Sequence, residues 1–502
     1  MHPVPWEDEE RRTPADATFR AKAMGVFCLT CHKEARNPNG EDEPMSPKPF
    51  PSGVHASGKP ESMLAKARGA SGVTRRQFLK RAAVAGGLVA APWIVPASAL
   101  GRDGAAAPSE RIVMGGIGLG GRGSQDLAWL LQQGDVQFVA VCDVDGRQRQ
   151  GAKNRIDGRY GNQDCKAYID LREILAGHGE IDAMLIATGD RWHALAATLA
   201  MQAGKDVYCE KPGTMTVAEG RALVNAAERH CRVFQTGAQR MSEANFVFPT
   251  ELARNGQLGQ LHTVRAHMWS AVQDVTKNDC LAAQKEPPRE ELDWDLWLGP
   301  VPWRPYNAGY LGGCDRWGVY WDLAAGVAGW GSHTFIQCQM AARAEHTSPV
   351  EYIYPGNASG AGMVTRFANG VKMVLEFDGW RGSCGVRFEG SEGWASVADG
   401  YPKPDFSSPA LVGEFQKVMN QYEARTQRPM NHLRDFLACV KTRRQTIANP
   451  EVMHRSMTTC HAINICLALK RDLKWDPQRE EFVNDADANR MRARALREPW
   501  AL

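Results

Sequence analysis

One glycine run, set between two apolar strands, constrains this chain more than any other feature. Residues 111–123 read Arg-Ile-Val-Met-Gly-Gly-Ile-Gly-Leu-Gly-Gly-Arg-Gly; a helix-like stretch follows, and Val136–Cys142 reads as a second apolar strand ending at Asp143. Gly118, Gly120 and Gly123 stand in Gly-x-Gly-x-x-Gly spacing, and Asp143 lies 20 residues past the last of them. A lone glycine triplet says little, but strand, turn, helix, strand and acid in this order describe a dinucleotide site. Gly118 permits the tight turn, Gly120 lets the backbone approach a pyrophosphate, and Gly123 lets the helix pack closely on the strand. Gly121 and Arg122, between them, are assigned to the same site. The helix N-terminus offers free N–H groups and partial positive charge to the phosphates. Asp143 is placed to bind the adenosine ribose hydroxyls and to repel a 2′-phosphate, so the expected cofactor is NAD rather than NADP. The plain alternative is a glycine-rich turn that holds no ligand.

The chain has 502 residues, enough for two or three domains with large cores. A net charge of +3 gives no global reason to expect a nucleic-acid or anionic-membrane partner. From Ser109 to Gly237, strands and helices alternate. Arg111–Gly116, Val136–Cys142, Ala183–Ala187, Asp206–Cys209 and Val233–Thr236 read as buried parallel strands. Trp192–Ala203 and Val217–Glu228 read as helices, the second opened by a capping box of Thr216 and Glu219. Past Gly237 the period changes. Thr263–Trp269 alternates, Met363–Phe377 is a hairpin around Asn369-Gly370, and Val386–Val397 suggests a further turn between strands. The expected fold is an α/β Rossmann domain, a doubly wound parallel sheet, plus an α+β domain with a large open, mainly antiparallel sheet. The open face suits a homo-oligomer contact. Asn431–Leu473 reads as amphipathic helix returning toward the first domain. The boundaries drawn are 109–237 for the first domain, 238–475 for the second and 476–502 for a C-terminal tail.

Ahead of these lies Thr74-Arg75-Arg76-Gln77-Phe78-Leu79-Lys80-Arg81, an apolar run from Ala82 to Pro96, and Ala97-Ser98-Ala99. Paired arginines, a short apolar run and an Ala-x-Ala exit in order describe a twin-arginine export signal at 63–99, followed by a linker at 100–108. The translocase is then a partner and the periplasm the destination. Residues 1–62 are rich in Pro, Gly and charge, and read as a disordered or misassigned extension, with Met63 suitably placed for a start. Within them Cys28-Leu29-Thr30-Cys31-His32 spells a haem-attachment pattern. It stands on the wrong side of an export signal, so haem is not expected, and no metal site is assigned. The other 11 cysteines are scattered. Cys142, Cys209, Cys338 and Cys466 sit in apolar runs and read as buried thiols. Twin-arginine substrates fold before export, so no disulfide framework is expected.

Six of the 15 tryptophans fall between Trp294 and Trp330, in a Gly- and Pro-rich stretch that also holds Asp322. The segment reads either as aromatic planes, including Trp321 and Trp330, that stack on sugar rings, or as an arm sealing an oligomer.

Several motifs together resemble the Gfo/Idh/MocA oxidoreductases. They are the glycine run at 115–123, Ile186-Ala187-Thr188-Gly189-Asp190-Arg191-Trp192-His193, Glu210-Lys211-Pro212, Asp293–Pro300 and Gly329-Trp330-Gly331-Ser332-His333. The resemblance covers about residues 109–475. It implies a two-domain NAD(P) enzyme acting on a sugar, polyol or glycoside, with Thr188, His193, Glu210, Lys211 and Pro212 at the cofactor. It also implies Lys211 beside the reacting hydroxyl, a cis Pro212 and His333 facing substrate as the proton acceptor. Asp322, Trp321 and Trp330 are candidate substrate contacts. The chain departs from the family pattern at Gly329 and Ile336, where carboxylates are common, and at Gly189. Asp322 and Asp315 are candidate replacements. Two other readings stay open: glycoside cleavage through transient oxidation, and carbohydrate binding without catalysis.

Overall fold

The computed structural model describes residues 106–502, apart from 269–278 and the single positions 358, 378, 381 and 402. The haem-attachment pattern, the twin-arginine segment and Trp269 lie outside the described residues.

Six strands form the first sheet: β1 (Ile112–Ile117), β2 (Val136–Cys142), β3 (Lys166–Tyr168), β4 (Ala183–Ile186), β5 (Asp206–Cys209) and β6 (Phe234–Thr236). They run parallel in the order β3-β2-β1-β4-β5-β6. The order reverses at β1, which pairs with β2 on one side and β4 on the other. That switch opens a crevice at the carboxyl ends of the strands. β4 and β5 are buried at every residue because helices cover both faces. β3 has no counterpart in the sequence reading. Lys166 and Ala167 are exposed, so no apolar run marks it.

The helices α1 (Gly121–Leu130), α2 (Gly146–Tyr160), α3 (Leu171–Gly177), α4 (Asp190–Gln202) and α5 (Val217–Arg229) connect these strands. The start of α5 varies the expected capping box. Thr216 Oγ1 accepts the Glu219 N–H at 3.2 Å, but the Glu219 carboxylate reaches back to the Met215 N–H at 2.7 Å rather than to Thr216.

The second sheet holds β7 (Leu261–Met268), β8 (Glu351–Ile353), β9 (Val364–Arg366), β10 (Lys372–Glu376), β11 (Cys384–Gly390), β12 (Gly393–Ala398), β13 (Asp405–Phe406), β14 (Leu473–Asp476) and β15 (Glu481–Phe482). Their order is β13-β12-β11-β7-β10-β9-β8-β14-β15. Every neighbouring pair is antiparallel except β7 with β10. The Asn-Gly turn joins β9 to β10. Gly370 has φ +89° and Asn369 Oδ1 takes the Val371 N–H at 3.2 Å. Val264, Ala266, Val386 and Phe388 are buried on one face, against α6 (Ala244–Arg254) and α7 (Ala328–Ala341). The other face is a charged ladder. Arg265 pairs with Glu376 at 2.5 Å and Glu389 at 3.0 Å, and Arg387 lies 4.0 Å from the centre of the Trp394 ring.

The chain beyond the second sheet's core returns to the first domain. In α8 (His432–Thr442), Leu433, Phe436 and Leu437 join a cluster with Leu127, Phe138 and Tyr208. α9 (Pro450–Leu469) starts on an Asn449 cap that takes two backbone N–H groups at 3.1 Å, and it is buried almost all round. Within 476–502, Glu481–Phe482 forms β15 of the second sheet, and the residues after it close over the first domain. Trp500 packs edge-on against Trp192 at 4.8 Å, and Arg494 pairs with Glu219 at 2.6 Å. The eleven cysteines among the described residues are free thiols, with Cys142, Cys209, Cys338 and Cys466 buried.

Candidate active site

The β1–α1 turn is shaped for a dinucleotide. Gly118 has φ +74°, and a Cβ there would lie 2.6 Å from the Thr188 side chain. A Cβ on Gly123 would stand 2.4 Å from the Gly118 carbonyl oxygen. Both glycines are therefore required by the protein itself. Gly120, the N-cap of α1, is different: a Cβ would meet nothing nearer than Gln148 at 3.7 Å, and at Gly121 nothing lies within 4 Å. No side chain caps α1. Open backbone at an uncapped helix N-terminus is what a diphosphate requires, so these residues fit NAD.

Asp143 follows β2 and points back at the same turn. Its Oδ2 accepts the Leu119 N–H at 2.8 Å and its Oδ1 the Asp145 N–H at 3.0 Å. Burial pushes the carboxyl up to about 6, against the pull of those two donors. A carboxylate has about four acceptor positions, so two remain for ribose hydroxyls.

A strap from the second domain clasps the loop after Asp143. Gly146 donates to the Glu291 carbonyl at 2.9 Å, and Asp293 to that of Val144 at 3.2 Å. Arg149 ties the two segments together, donating to the Asp143 carbonyl at 2.7 Å and the Glu290 carbonyl at 2.9 Å. Further along, Trp192 Nε1 donates to the Leu296 carbonyl at 2.9 Å, and Arg191 stacks 3.7 Å from the centre of the Trp297 ring.

At the other end of the crevice, β5 runs into Glu210, Lys211 and a cis Pro212. Glu210 is buried. Its Oε1 accepts from Gln239 Nε2 at 2.7 Å and its Oε2 from the Lys211 N–H at 3.2 Å. His193 Nδ1 sits 2.7 Å from the Pro212 carbonyl, which can only accept, so Nδ1 carries the proton. Lys211 Nζ donates to the Gly329 carbonyl at 2.9 Å and lies 4.6 Å from the centre of the Trp330 ring. His333 stands one turn further along α7. It is buried, and its Nδ1 has no hydrogen-bond partner. Burial first, then the positive charges of Arg240, Lys211 and Arg122, push its imidazole well below the ordinary range, so it is neutral. Asn464 fixes the start of α7. It accepts the Val327 N–H at 3.1 Å and donates to the Ala325 carbonyl at 2.9 Å.

Arg122 turns inward rather than standing free at the phosphate cradle. It lies 2.9 Å from Asp126 and 3.4 Å from Glu210, so it links α1 to the Glu-Lys-Pro loop. Asp126 is fully buried; burial and the neighbouring Glu210 charge raise its carboxyl, against the pull of Arg122.

The sequence reading did not pick out Asp126, Asp190, Gln239 or Arg240. Asp126 shows a signal, four residues from Arg122 on one helix. Asp190 stands inside the 186–193 motif with no role given to it, and Gln239 and Arg240 carry no signal, because topology brings them in. Asp190 is buried with its Oδ2 on the Ala325 N–H at 3.0 Å; burial raises its carboxyl against the opposing charges of His193 and Lys211.

The aromatic segment mostly packs on itself, which neither expectation anticipated. Trp294, Tyr310 and Tyr320 are buried in a cluster with Leu298 and Leu323, and Trp294 stacks on Trp297 at 4.7 Å. The backbone is loop-like, but the rings converge to form a small core. Trp321 and Trp330 stay half-exposed, and Trp303 is exposed. Asp322 is ion-paired with Arg304, and Asp315 is exposed beside Arg316. Neither makes an ion pair with Lys211 among the described residues.

Comparison with known proteins agrees with this geometry. Residues 111–238 match the family described as "Oxidoreductase family, NAD-binding Rossmann fold", and residues 265–502 match its "C-terminal alpha/beta domain". The chain belongs to the Gfo/Idh/MocA oxidoreductase family. Within it, inositol 2-dehydrogenase of Salmonella typhimurium is 27% identical over 157 residues, covering 31% of this chain and 45% of the relative. Glycosyl hydrolase family 109 protein 1 of Shewanella sp. (strain MR-4) is 30% identical over 212 residues, covering 38% of this chain and 44% of the relative. The chain thus spans less than half the length of these curated relatives. The WlbA dehydrogenase of Bordetella pertussis, solved with NADH and UDP-GlcNAcA, shares the fold at a TM-score of 0.53 and 16% identity over 73% of this chain and 98% of that one.

This Gfo/Idh/MocA member differs from the pattern in two ways that the structure separates. Ile336 packs with Ala238, Met241, Ala448 and Val452, so position 336 faces an apolar cluster. Gly329 is partly exposed, and its side-chain position is open.

Proposed function

We propose that this chain is an NAD(H)-dependent oxidoreductase that acts by hydride transfer on a sugar, polyol or glycoside and holds its cofactor tightly. The observation that carries this reading is Lys211 fixed on the Gly329 carbonyl beside Trp330, with a neutral His333 one turn along the same helix. When bound, NAD⁺ supplies the acceptor for the hydrogen and electron pair of the substrate C–H bond. Lys211 donates to the hydroxyl oxygen and stabilises the negative charge that grows there as C–O becomes C=O. His333 accepts the hydroxyl proton, and its unpartnered Nδ1 leaves it without a carboxylate to steady the resulting cation. Lys211→Met and a sugar panel test this assignment, as argued in the Discussion.

Cofactor preference rests on Asp143. Asp143→Ala is expected to weaken NAD by roughly tenfold to a hundredfold, the size of a lost charged hydrogen-bonding group, and to narrow the preference over NADP. The preference should also narrow in the unmodified protein as pH falls through about 6, where the raised carboxyl takes up its proton and stops repelling a 2′-phosphate. Fluorescence titrations with both cofactors at two pH values check this. Equal affinities at neutral pH contradict it.

Retention rests on the strap. Arg149→Ala removes both of its clasps on Asp143 and Glu290, and should speed NAD dissociation about tenfold with a smaller effect on association. Stopped-flow displacement measures both rates; an unchanged dissociation rate contradicts the role.

A second reading draws support from the glycosyl hydrolase relative: transient oxidation would acidify a ring C–H, the glycoside would eliminate its leaving group, water would add in its place, and return of the hydride to the ketone would restore the cofactor. Release of free sugar without net NADH identifies that outcome. For location we propose export by the twin-arginine route, with the protein folding around its cofactor first. A reporter fused after residue 105 should reach the periplasm only with Arg75 and Arg76 intact; unchanged export of the double lysine variant contradicts this. The charged open face of the second sheet is proposed as the contact of a homo-oligomer.

A further inference from the structure

Position 329 is a gap in the site. Gly329 lies in the first turn of α7, four residues before His333, so the two share a helix face. A Cβ built on it would meet nothing within 4 Å, although its own carbonyl holds Lys211 Nζ at 2.9 Å. The side-chain position is therefore open on the same residue whose carbonyl holds the ammonium.

The ammonium's charge is met only at longer range, by the buried Asp190 carboxylate. Among the described residues no carboxylate forms an ion pair with Lys211, whose assigned contacts are a carbonyl and the Trp330 ring. The acids in the neighbourhood are engaged elsewhere. Glu210 is held by Gln239, Arg122 and the Lys211 N–H. Asp190 has Oδ2 on the Ala325 N–H. Asp399 takes Arg240 through both oxygens, at 2.7 and 2.6 Å, and the Ser383 hydroxyl at 2.6 Å. Lys211 has three N–H donors, and one is spent on Gly329.

We infer that the substrate fills this gap with a carboxylate of its own, making Gly329 the specificity-determining position for an acidic sugar. This deepens the oxidoreductase reading and rests on its placement of substrate beside Lys211. One ammonium N–H stays on the Gly329 carbonyl, the second meets the substrate carboxylate, and the third meets the reacting hydroxyl. A neutral sugar leaves the ammonium without a direct ionic contact.

Binding and turnover are measured separately. The NAD-loaded full chain is titrated calorimetrically with glucuronate and glucose, and with galacturonate and galactose. At least one uronate should bind tenfold or more tightly than its hexose, with an affinity that falls as salt rises. Gly329→Asp should cancel the preference by placing a fixed carboxylate in the gap. Gly329→Asn, of the same size without charge, should keep a preference for the uronate. Retained NAD binding shows that both variants are folded. Absence of preference in both pairs, no binding of either uronate, or a preference equal in the wild type and the Asp variant overturns the inference. A uronate preference without nicotinamide reduction supports it and counts against the oxidoreductase reading instead.

Discussion

Replacing Lys211 with methionine is expected to stop nicotinamide reduction by substrate while NAD stays bound. Lys211 Nζ bonds the Gly329 carbonyl rather than the glycine cradle, which is built from Gly118 to Gly123 and Asp143. The methionine keeps the length of the side chain and much of its packing against Trp330 but removes the charge. That charge matters most as the hydroxyl oxygen becomes negative, so its loss falls on the rate rather than on cofactor affinity. Loss of one donor to a developing oxyanion costs about a hundredfold to a thousandfold, and loss of a full charge should reach at least the upper figure. His333→Ala should cost less, roughly tenfold to a hundredfold, because no carboxylate supports that imidazole. Single-turnover absorbance with the two variants separates them; a variant in which lysine loss expels NAD would contradict the split of roles.

Gly120→Val is expected to abolish NAD binding in a protein that still folds. Gly123→Val is expected to lose both. The contrast follows from what each Cβ meets: side-chain atoms of Gln148 at 3.7 Å for Gly120, and the Gly118 carbonyl at 2.4 Å for Gly123. A valine at Gly120 projects into the space for the diphosphate, whereas one at Gly123 pushes α1 off β1. Overpacking of that kind costs about 1–3 kcal/mol or more. Circular dichroism with NAD titration distinguishes them. A folded Gly120→Val protein with unchanged NAD affinity would move the phosphates away from this turn.

The sheet of the first domain was legible because its strands are continuous apolar runs and its glycines sit at fixed spacing. β3 escaped because three residues with two exposed side chains leave no pattern. The Asn369-Gly370 hairpin was legible for the same local reason: one turn residue must take positive φ. The aromatic segment misled because composition speaks for backbone and not for rings. Gly and Pro do make it loop-like, yet Trp294, Tyr310 and Tyr320 still bury one another. In the candidate site, Glu210, Lys211 and Pro212 could be found as a contiguous motif. Arg240, Asp399 and Asn464 could not, since Arg240 and Asp399 are 159 positions apart and the partners of Asn464 lie 137 and 139 positions away. The inward turn of Arg122 was equally hidden. It depends on a buried Asp126 that shares the neighbourhood of Glu210 only after α1 has packed on β4, the strand beside β5.

The most direct test of the central claim is an absorbance trace of the purified chain loaded with NAD⁺ and mixed with pyranoses, pyranosides, cyclic polyols and uronates. The oxidoreductase account predicts that at least one of them raises the reduced-nicotinamide band by about one equivalent per site in a single turnover, and that Lys211→Met shows no rise with the same ligand. A flat trace across the whole panel, with NAD demonstrably bound and the ligands demonstrably binding, contradicts it and leaves a carbohydrate-binding protein that keeps its cofactor fold.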